Sequence, residues 1–136
     1  MSRSTSIKSF GRVAIVFIAA SVLATFARAE GNVENGEDVF KKCRACHLVG
    51  EGAKDTVGPN LNGVVGRKAA ASETYKLYSE NMRELGAGGI VWDDANLDKY
   101  LENPKGLVPQ GKMAFPGLKE KSDRDDVIAY LKKYSK

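Results

Sequence analysis

Hydrophobic positions along this 136-residue chain repeat at helical spacing in short segments, which are separated by stretches rich in glycine and proline. The spacing over residues 33–46 predicts a first helix, with Asn32 as its N-cap. Residues 48–71 are predicted to form a loop, because glycine recurs too often there for a long helix. A short helix is predicted over residues 72–85, ending before Gly86.

The second half of the chain follows the same pattern of short helices and loops. A third helix is predicted from Asp93, its N-cap, to about Glu102, where the Asn-Pro pair that follows would end it. Residues 104–118 contain several prolines and glycines and are predicted to be a loop. The last helix is predicted to begin at Ser122, which with the aspartate three residues later resembles a capping box. The pattern therefore predicts an all-α protein with long loops.

Residues 1–29 have the features of a secretory signal peptide. Three basic residues precede an apolar stretch over residues 13–26, and an Ala-Arg-Ala sequence stands directly before Glu30. The alternative is a permanent membrane anchor, which is disfavoured because the stretch is shorter than the roughly 20 residues that span a bilayer. The sequence therefore predicts export to the periplasm, cleavage after residue 29 and one mature domain over residues 30–136.

The predicted signal peptide also changes the interpretation of the charge. The whole chain has 21 basic and 17 acidic residues, a formal net charge of +4. Residues 1–29 hold four of the basic residues and none of the acidic ones, so residues 30–136 are formally neutral. The sequence therefore offers no basic character that would favour a nucleic-acid partner.

The strongest chemical motif is Cys43-Arg44-Ala45-Cys46-His47, which contains the chain's only two cysteines and its only histidine. A redox dithiol would be expected in a thioredoxin-like βαβ context, which the pattern does not predict. A zinc site would need two further cysteine or histidine ligands, and the chain has none. The spacing instead matches covalent attachment of a c-type haem, with two thioether bonds and one histidine on the iron.

The sixth ligand of such an iron decides its chemistry, because an open position binds small molecules and a thioether closes it and raises the potential. Met1 would leave with the signal peptide, so Met82 and Met113 are the candidates. Met82 falls in a predicted helix, where core packing is the ordinary role of methionine. Met113 lies in the predicted loop, which can curl over the face opposite His47, and the spacing favours it as the ligand.

These motifs together resemble the class I c-type cytochromes, and most closely the bacterial cytochrome c2 group. The resemblance covers residues 36–134. The matching motifs are CRACH at 43–47, GPNLNGVVGR at 58–67, GIVW at 89–92, YLENPK at 100–105, KMAF at 112–115 and DVIAYL at 126–131. The resemblance implies a small class I cytochrome c fold, all-α and single-domain, in which helices and long loops surround one covalent haem c.

The resemblance assigns the iron ligands and the groups that tune them. It implies that His47 and Met113 are the axial ligands and that Cys43 and Cys46 hold the porphyrin. The carbonyl of Pro59 would accept a hydrogen bond from Nδ1 of His47. The hydroxyl group of Tyr100 would point at the sulfur of Met113.

The haem propionates and the pocket walls are assigned in the same way. The resemblance implies that Arg67 neutralises a propionate and that Tyr78 and Trp92 donate hydrogen bonds to propionates. Tyr75 is the alternative to Tyr78, because the segment before Trp92 is longer than in mitochondrial relatives. Gly111 replaces a Thr or Asn that bonds a propionate in many relatives, so that bond is expected to be lost or replaced by water. The implied apolar walls are Leu61, Leu101 and Phe115, and Gly36 and Phe40 are implied to pack against Tyr130.

The function implied is that of a soluble one-electron carrier, monomeric and not an enzyme. Its donor would be a bc1-type complex, and its acceptor a photosynthetic reaction centre, a terminal oxidase or another periplasmic protein. Lysines would ring the exposed haem edge and steer acidic partners. They are Lys41, Lys42, Lys105, Lys112, Lys119 and Lys121. The alternatives are a haem enzyme or gas sensor with an open iron, and a haem domain tethered to the membrane by residues 13–27.

Overall fold

The structure is a computed structural model that describes residues 30–135. Within them the helices are α1 (Val33–Phe40), α2 (Glu80–Ala87), α3 (Asp94–Glu102), α4 (Pro104–Leu107) and α5 (Lys121–Lys132). The predicted signal peptide lies outside the described residues. Among the described helices, none has the length and apolar character needed to cross a bilayer. The described part of the chain contains no strand, only an isolated antiparallel bridge between Lys68 and Val91, and the all-α prediction is confirmed.

The crossing of α1 and α5 brings the two ends of the domain together. A Cβ atom at Gly36 would lie 2.0 Å from the backbone oxygen of Asp126 and 2.8 Å from Cβ of Tyr130, so only glycine lets the helices approach this closely. The ring centroids of Phe40 and Tyr130 are 5.3 Å apart. Asn32 caps α1 by accepting a hydrogen bond from the Asn35 amide at 2.8 Å. The predicted cap and helix contact are both confirmed.

The core lies between α1, α3 and α5 and beneath the loops. It is formed by Val39, Phe40, Val64, Ala69, Trp92, Leu97, Leu118, Val127, Ile128, Tyr130 and Leu131. A buried arginine joins α5 to its surroundings: Nε of Arg124 donates to Asp98 at 2.8 Å, and its Nη1 donates to the carbonyls of Leu118 and Lys119. Nε and Nη1 of this buried guanidinium both have acceptors, and these hydrogen bonds compensate for the burial of its charge.

Two of the predicted helices have different bounds. The first ends at Phe40 instead of continuing to residue 46, and hydrogen-bonded turns follow it. The helix predicted over residues 72–85 is wrong in its position, because α2 begins only after Ser79, whose Oγ accepts the Met82 amide. Gly86 does not end this helix. A Cβ there would lie 2.2 Å from the oxygen of Ala69, so the glycine allows α2 to pack closely against the backbone of Ala69.

The later helices were predicted more closely. The third runs from Asp94 to Glu102 with Asp93 as its N-cap, as predicted. Pro104 ends that helix but also begins the one-turn α4, since proline is well suited to the first position of a helix. The predicted capping box at Ser122 is wrong: α5 begins at Lys121 and has no side-chain cap. The aspartate expected to complete the box, Asp125, is instead ion-paired with Lys121 at 2.5 Å.

Candidate haem site

The turns after α1 bring the attachment motif together. The amides of Cys46 and His47 both donate to the carbonyl of Cys43 at 3.0 Å, so the chain makes one tight turn between the two cysteines. Neither cysteine is in a disulfide. Burial raises the pKa of Cys43 to about 11, more than its interaction with Lys42 lowers it. The two sulfurs therefore lie on one turn, as two thioether bonds to a porphyrin require.

The imidazole of His47 is held in one orientation. Its Nδ1 lies 2.7 Å from the carbonyl oxygen of Pro59, and because a carbonyl only accepts, Nδ1 carries the proton. Burial lowers the pKa of His47, although the bond to Pro59 opposes this effect. The ring is therefore neutral, and Nε2 has an unprotonated lone pair that can bind a metal. The predicted hydrogen bond between His47 and Pro59 is confirmed.

The loop before Pro59 is tied back to the attachment motif. The Gly58 amide and the Thr56 hydroxyl both donate to the carbonyl of Cys46, at 2.9 and 2.7 Å. A Cβ atom at Gly58 would lie 2.4 Å from Cε1 of His47, so the loop can cover the ring only with glycine at this position. Asn62 braces the same loop through two hydrogen bonds to the backbone of Gly50, each 2.8 Å long.

Met113 and Tyr100 form the second half of the site. The hydroxyl of Tyr100 donates to Sδ of Met113 at 3.8 Å, as the resemblance implied. Burial raises the pKa of Tyr100 to about 12, so the hydroxyl keeps its proton at neutral pH. The Tyr100 ring also packs against Trp92, with 4.9 Å between the centroids. Because the contact uses one lone pair of the sulfur, the other remains able to bind iron.

The residues predicted to bind the propionates differ in whether their hydrogen-bond donors are already used within the protein. Nη1 of Arg67 donates to the carbonyl of Asn62 at 3.0 Å, which leaves its other donors for an anion. The hydroxyl of Tyr75 already donates to the carbonyl of Val57 at 2.9 Å. Tyr78 is half-buried and packs edge-on against Tyr75, with 4.9 Å between the ring centroids. This arrangement favours Tyr78 over Tyr75 as the propionate donor.

Several apolar side chains that pack against the core are only partly covered by protein. The predicted wall residues Leu61, Leu101 and Phe115 belong to this group. Cys43, Met82, Leu85 and Tyr100 are also half-buried and pack against the core. One imidazole nitrogen, one thioether sulfur, two thiols and half-buried apolar walls are the donor set and surroundings that a c-type haem requires. The residues present therefore fit this cofactor.

The six predicted docking lysines are all exposed, but they fall into two groups. Three are paired with carboxylates: Lys41 with Asp38, Lys42 with Asp123, and Lys121 with Asp125. The other three bond backbone carbonyls: Lys105 that of Gly111, Lys112 that of Leu77, and Lys119 those of Glu102 and Pro116. The sequence analysis did not separate these two groups. The pairs of Lys41 with Asp38 and of Lys121 with Asp125 join near neighbours in the chain. Only the fold brings Lys42 to Asp123.

One residue that shapes the site, Asp55, was not singled out by the sequence. Asp55 accepts hydrogen bonds from both the amide and the side chain of Asn60, at 2.7 and 3.0 Å, and so braces the residue after Pro59. Gly111, where a propionate donor was expected to be missing, is crowded: a Cβ there would lie 3.0 Å from the oxygen and 3.1 Å from Cγ1 of Val108. The packing of Val108 therefore disfavours a larger residue at this position.

Comparison with known proteins agrees with this site. The family described as Cytochrome c matches residues 33–135. The chain is 51% identical over 113 residues to cytochrome c2 of Rhodomicrobium vannielii, covering 83% of this chain and 87% of that protein. It is 48% identical over 117 residues to cytochrome c-554 of Methylosinus trichosporium, with 86% of each covered. The solved cytochrome c2 from Rhodospirillum centenum superposes with a TM-score of 0.73 at 37% identity, covering 78% of this chain and all of that one. With its two thiols, oriented histidine and methionine in place, the chain belongs to the cytochrome c family and is a haem-bearing electron carrier rather than an enzyme.

Proposed function

We propose that this chain is a periplasmic one-electron shuttle whose single haem c is attached through Cys43 and Cys46, with His47 and Met113 as axial ligands. The observation that carries the proposal is the pair of oriented donors: an imidazole fixed by Pro59 with Nε2 free, and a thioether held by Tyr100.

The haem, when bound, supplies a reversible one-electron couple at its iron. Pro59 fixes the ring of His47 and makes its Nε2 a stronger donor. Tyr100 orients the Met113 sulfur, which keeps the sixth position closed to small molecules. Leu61, Leu101 and Phe115 exclude water from the iron, which favours the less charged ferrous state.

The propionates of the haem would be held by Arg67, Tyr78 and Trp92. Arg67 supplies the positive charge, and Tyr78 and Trp92 supply hydrogen-bond donors. These groups offset the cost of burying a carboxylate in a small domain.

The proposed carrier is exported and exchanges electrons with other proteins of the periplasm. Cleavage of residues 1–29 would release a carrier that begins at Glu30 and moves between a bc1-type donor and an acceptor such as a reaction centre or a terminal oxidase. Sequencing the N-terminus of the purified protein tests this, because a retained leader would mean a membrane-tethered carrier. Docking at the haem edge would use mainly Lys105, Lys112 and Lys119, which bond carbonyls and form no ion pair within residues 30–135.

The decisive experiment is the substitution Met113→Ala in the haem-loaded protein. The covalent haem should remain, the weak far-red iron–thioether absorption of the ferric form should disappear, and carbon monoxide should bind the ferrous form. The matched control is Met82→Ala, which removes the other mature methionine and should keep the absorption. If Met113→Ala kept the absorption or Met82→Ala lost it, the ligand assignment would be wrong.

A further inference from the structure

The segment that carries Met113 is poorly tied to the rest of the backbone. The Gly111 amide donates to the carbonyl of Val108 at 2.9 Å, and the next backbone-to-backbone bond joins Leu118 to Leu101 at 2.7 Å. Between these points, residues 112–117 make no backbone-to-backbone hydrogen bond to any described residue. The position of the methionine therefore depends on side-chain contacts.

Two hydrogen bonds attach this segment to the chain around the start of α2. The Gln110 amide donates to Oδ1 of Asn81 at 2.9 Å, and Nζ of Lys112 donates to the carbonyl of Leu77 at 2.9 Å. They involve the residues one and three positions before Met113. Of the two, the Asn81 contact holds the backbone itself, whereas the lysine contact acts through a long, exposed side chain.

Asn81 is well suited to hold a backbone amide in place. Its Nδ2 donates to Oε2 of Glu84 at 3.0 Å, which turns Oδ1 toward Gln110. The helix that carries it is anchored, because Met82 and Leu85 pack against the core and Gly86 lies against Ala69. A fixed acceptor on an anchored helix thus meets a loop that has few other restraints.

We propose that Asn81 is a positioning residue for Met113, and that its hydrogen bond to Gln110 sets how readily the thioether leaves the iron. This inference rests on the proposed function, since it requires Met113 to be the sixth ligand. Loss of the hydrogen bond between Asn81 and Gln110 would raise the fraction of molecules in which Met113 has left the iron. An external ligand that binds only those molecules would gain apparent affinity in proportion to that fraction.

The test uses the haem-loaded ferric protein and imidazole as the external ligand. Asn81→Ala removes the acceptor. The rescue variant combines Asn81→Asp with Glu84→Gln, which keeps an acceptor oxygen for the Gln110 amide and lets the introduced amide donate to the other carboxylate oxygen. The control is Asn96→Ala, which removes a side-chain hydrogen bond of similar kind, from Nδ2 to the carbonyl of Val91, at the start of α3. Imidazole affinity, the far-red absorption and hydrogen exchange of the Gln110 amide are measured for each protein.

Loss of one hydrogen bond of ordinary strength should raise imidazole affinity by about fivefold in Asn81→Ala. The Gln110 amide should exchange faster in that variant, and Asn81→Asp combined with Glu84→Gln should restore both properties. The inference is overturned if imidazole affinity is unchanged while the amide exchanges faster, or if Asn96→Ala gives the same effect. Absence of the far-red absorption in the unsubstituted protein would instead count against Met113 as the ligand. In that case, exchange of the Gln110 amide would still show whether its hydrogen bond to Asn81 forms.

Discussion

Gly58 lies directly against the ring of His47: a Cβ atom at this glycine would be 2.4 Å from Cε1, 2.8 Å from Nδ1 and 3.0 Å from Nε2. Real side chains do not approach so closely, so any substitution must displace the imidazole or the loop. The same ring is bonded to Pro59, the next residue, at 2.7 Å. The orientation of the His47 imidazole thus depends on a residue without a side chain.

Gly58→Ala is predicted to destabilise the protein by about 2 kcal/mol through overpacking. It should also weaken the bond between His47 and Pro59 and lower the yield of haem-loaded protein, as measured by absorbance ratio and denaturant unfolding. Gly88→Ala is the control, since its Cβ would make only ordinary contacts at 3.4 Å. Equal effects of the two substitutions would show that the ring contact is unimportant.

Tyr100→Phe is predicted to lower the reduction potential. The hydroxyl donates to Sδ of Met113 at 3.8 Å and draws electron density from the sulfur, so its loss makes the thioether a stronger donor and favours the ferric iron. Redox titration measures the shift. Tyr134→Phe is the control, because its hydroxyl donates to that of Tyr130 at the end of α5. A rise in potential, or an equal fall in the control, would contradict the prediction.

The two groups of lysines are predicted to differ in partner docking. Lys119 bonds only carbonyls among the described residues, whereas Lys41 is paired with Asp38 at 2.5 Å. Lys119→Gln should therefore slow electron transfer with an acidic partner more than Lys41→Gln does, and the difference should shrink as salt screens the charges. Stopped-flow rates with a bc1-type complex across ionic strength provide the measurement. Equal rates for the two variants at low salt would refute the distinction.

Asp55 is predicted to stabilise the loop before Pro59 at neutral pH but not in acid. Burial raises the pKa of its carboxyl, but hydrogen bonds from Asn60 and Thr74 and the charge of Arg67 outweigh this and hold the pKa below its ordinary value of 3.8. A group with a lowered pKa contributes stability above its unfolded pKa and loses it as pH falls through the folded value.

Asp55→Asn should therefore be less stable than the unsubstituted protein at neutral pH, and the difference should shrink below about pH 3.8. Denaturant unfolding at several pH values measures it. Glu51→Gln is the charge-matched control on an exposed side chain of the same loop. A difference that stayed constant from neutral pH to acid would rule out this role for Asp55.

Local patterns in the chain were enough to predict much of this protein. The cap at Asn32 and the helix after Asp93 depend on hydrogen bonds three residues apart, so neighbouring residues determine them. The attachment motif is equally local, because one turn must present two thiols and an imidazole. Motif order then identified the family and the contact of Phe40 with Tyr130.

Contacts between distant residues decided what those patterns missed. Residues 72–79 are not helical, and there Tyr75 is bonded to the carbonyl of Val57, while Gly86 stays in a helix because Ala69 packs against it. The pairing of Lys42 with Asp123 and the contact of Asn81 with Gln110 likewise join residues far apart in the chain. Spacing alone predicts which residues share a helix face, but only the folded chain determines which distant donor meets which acceptor.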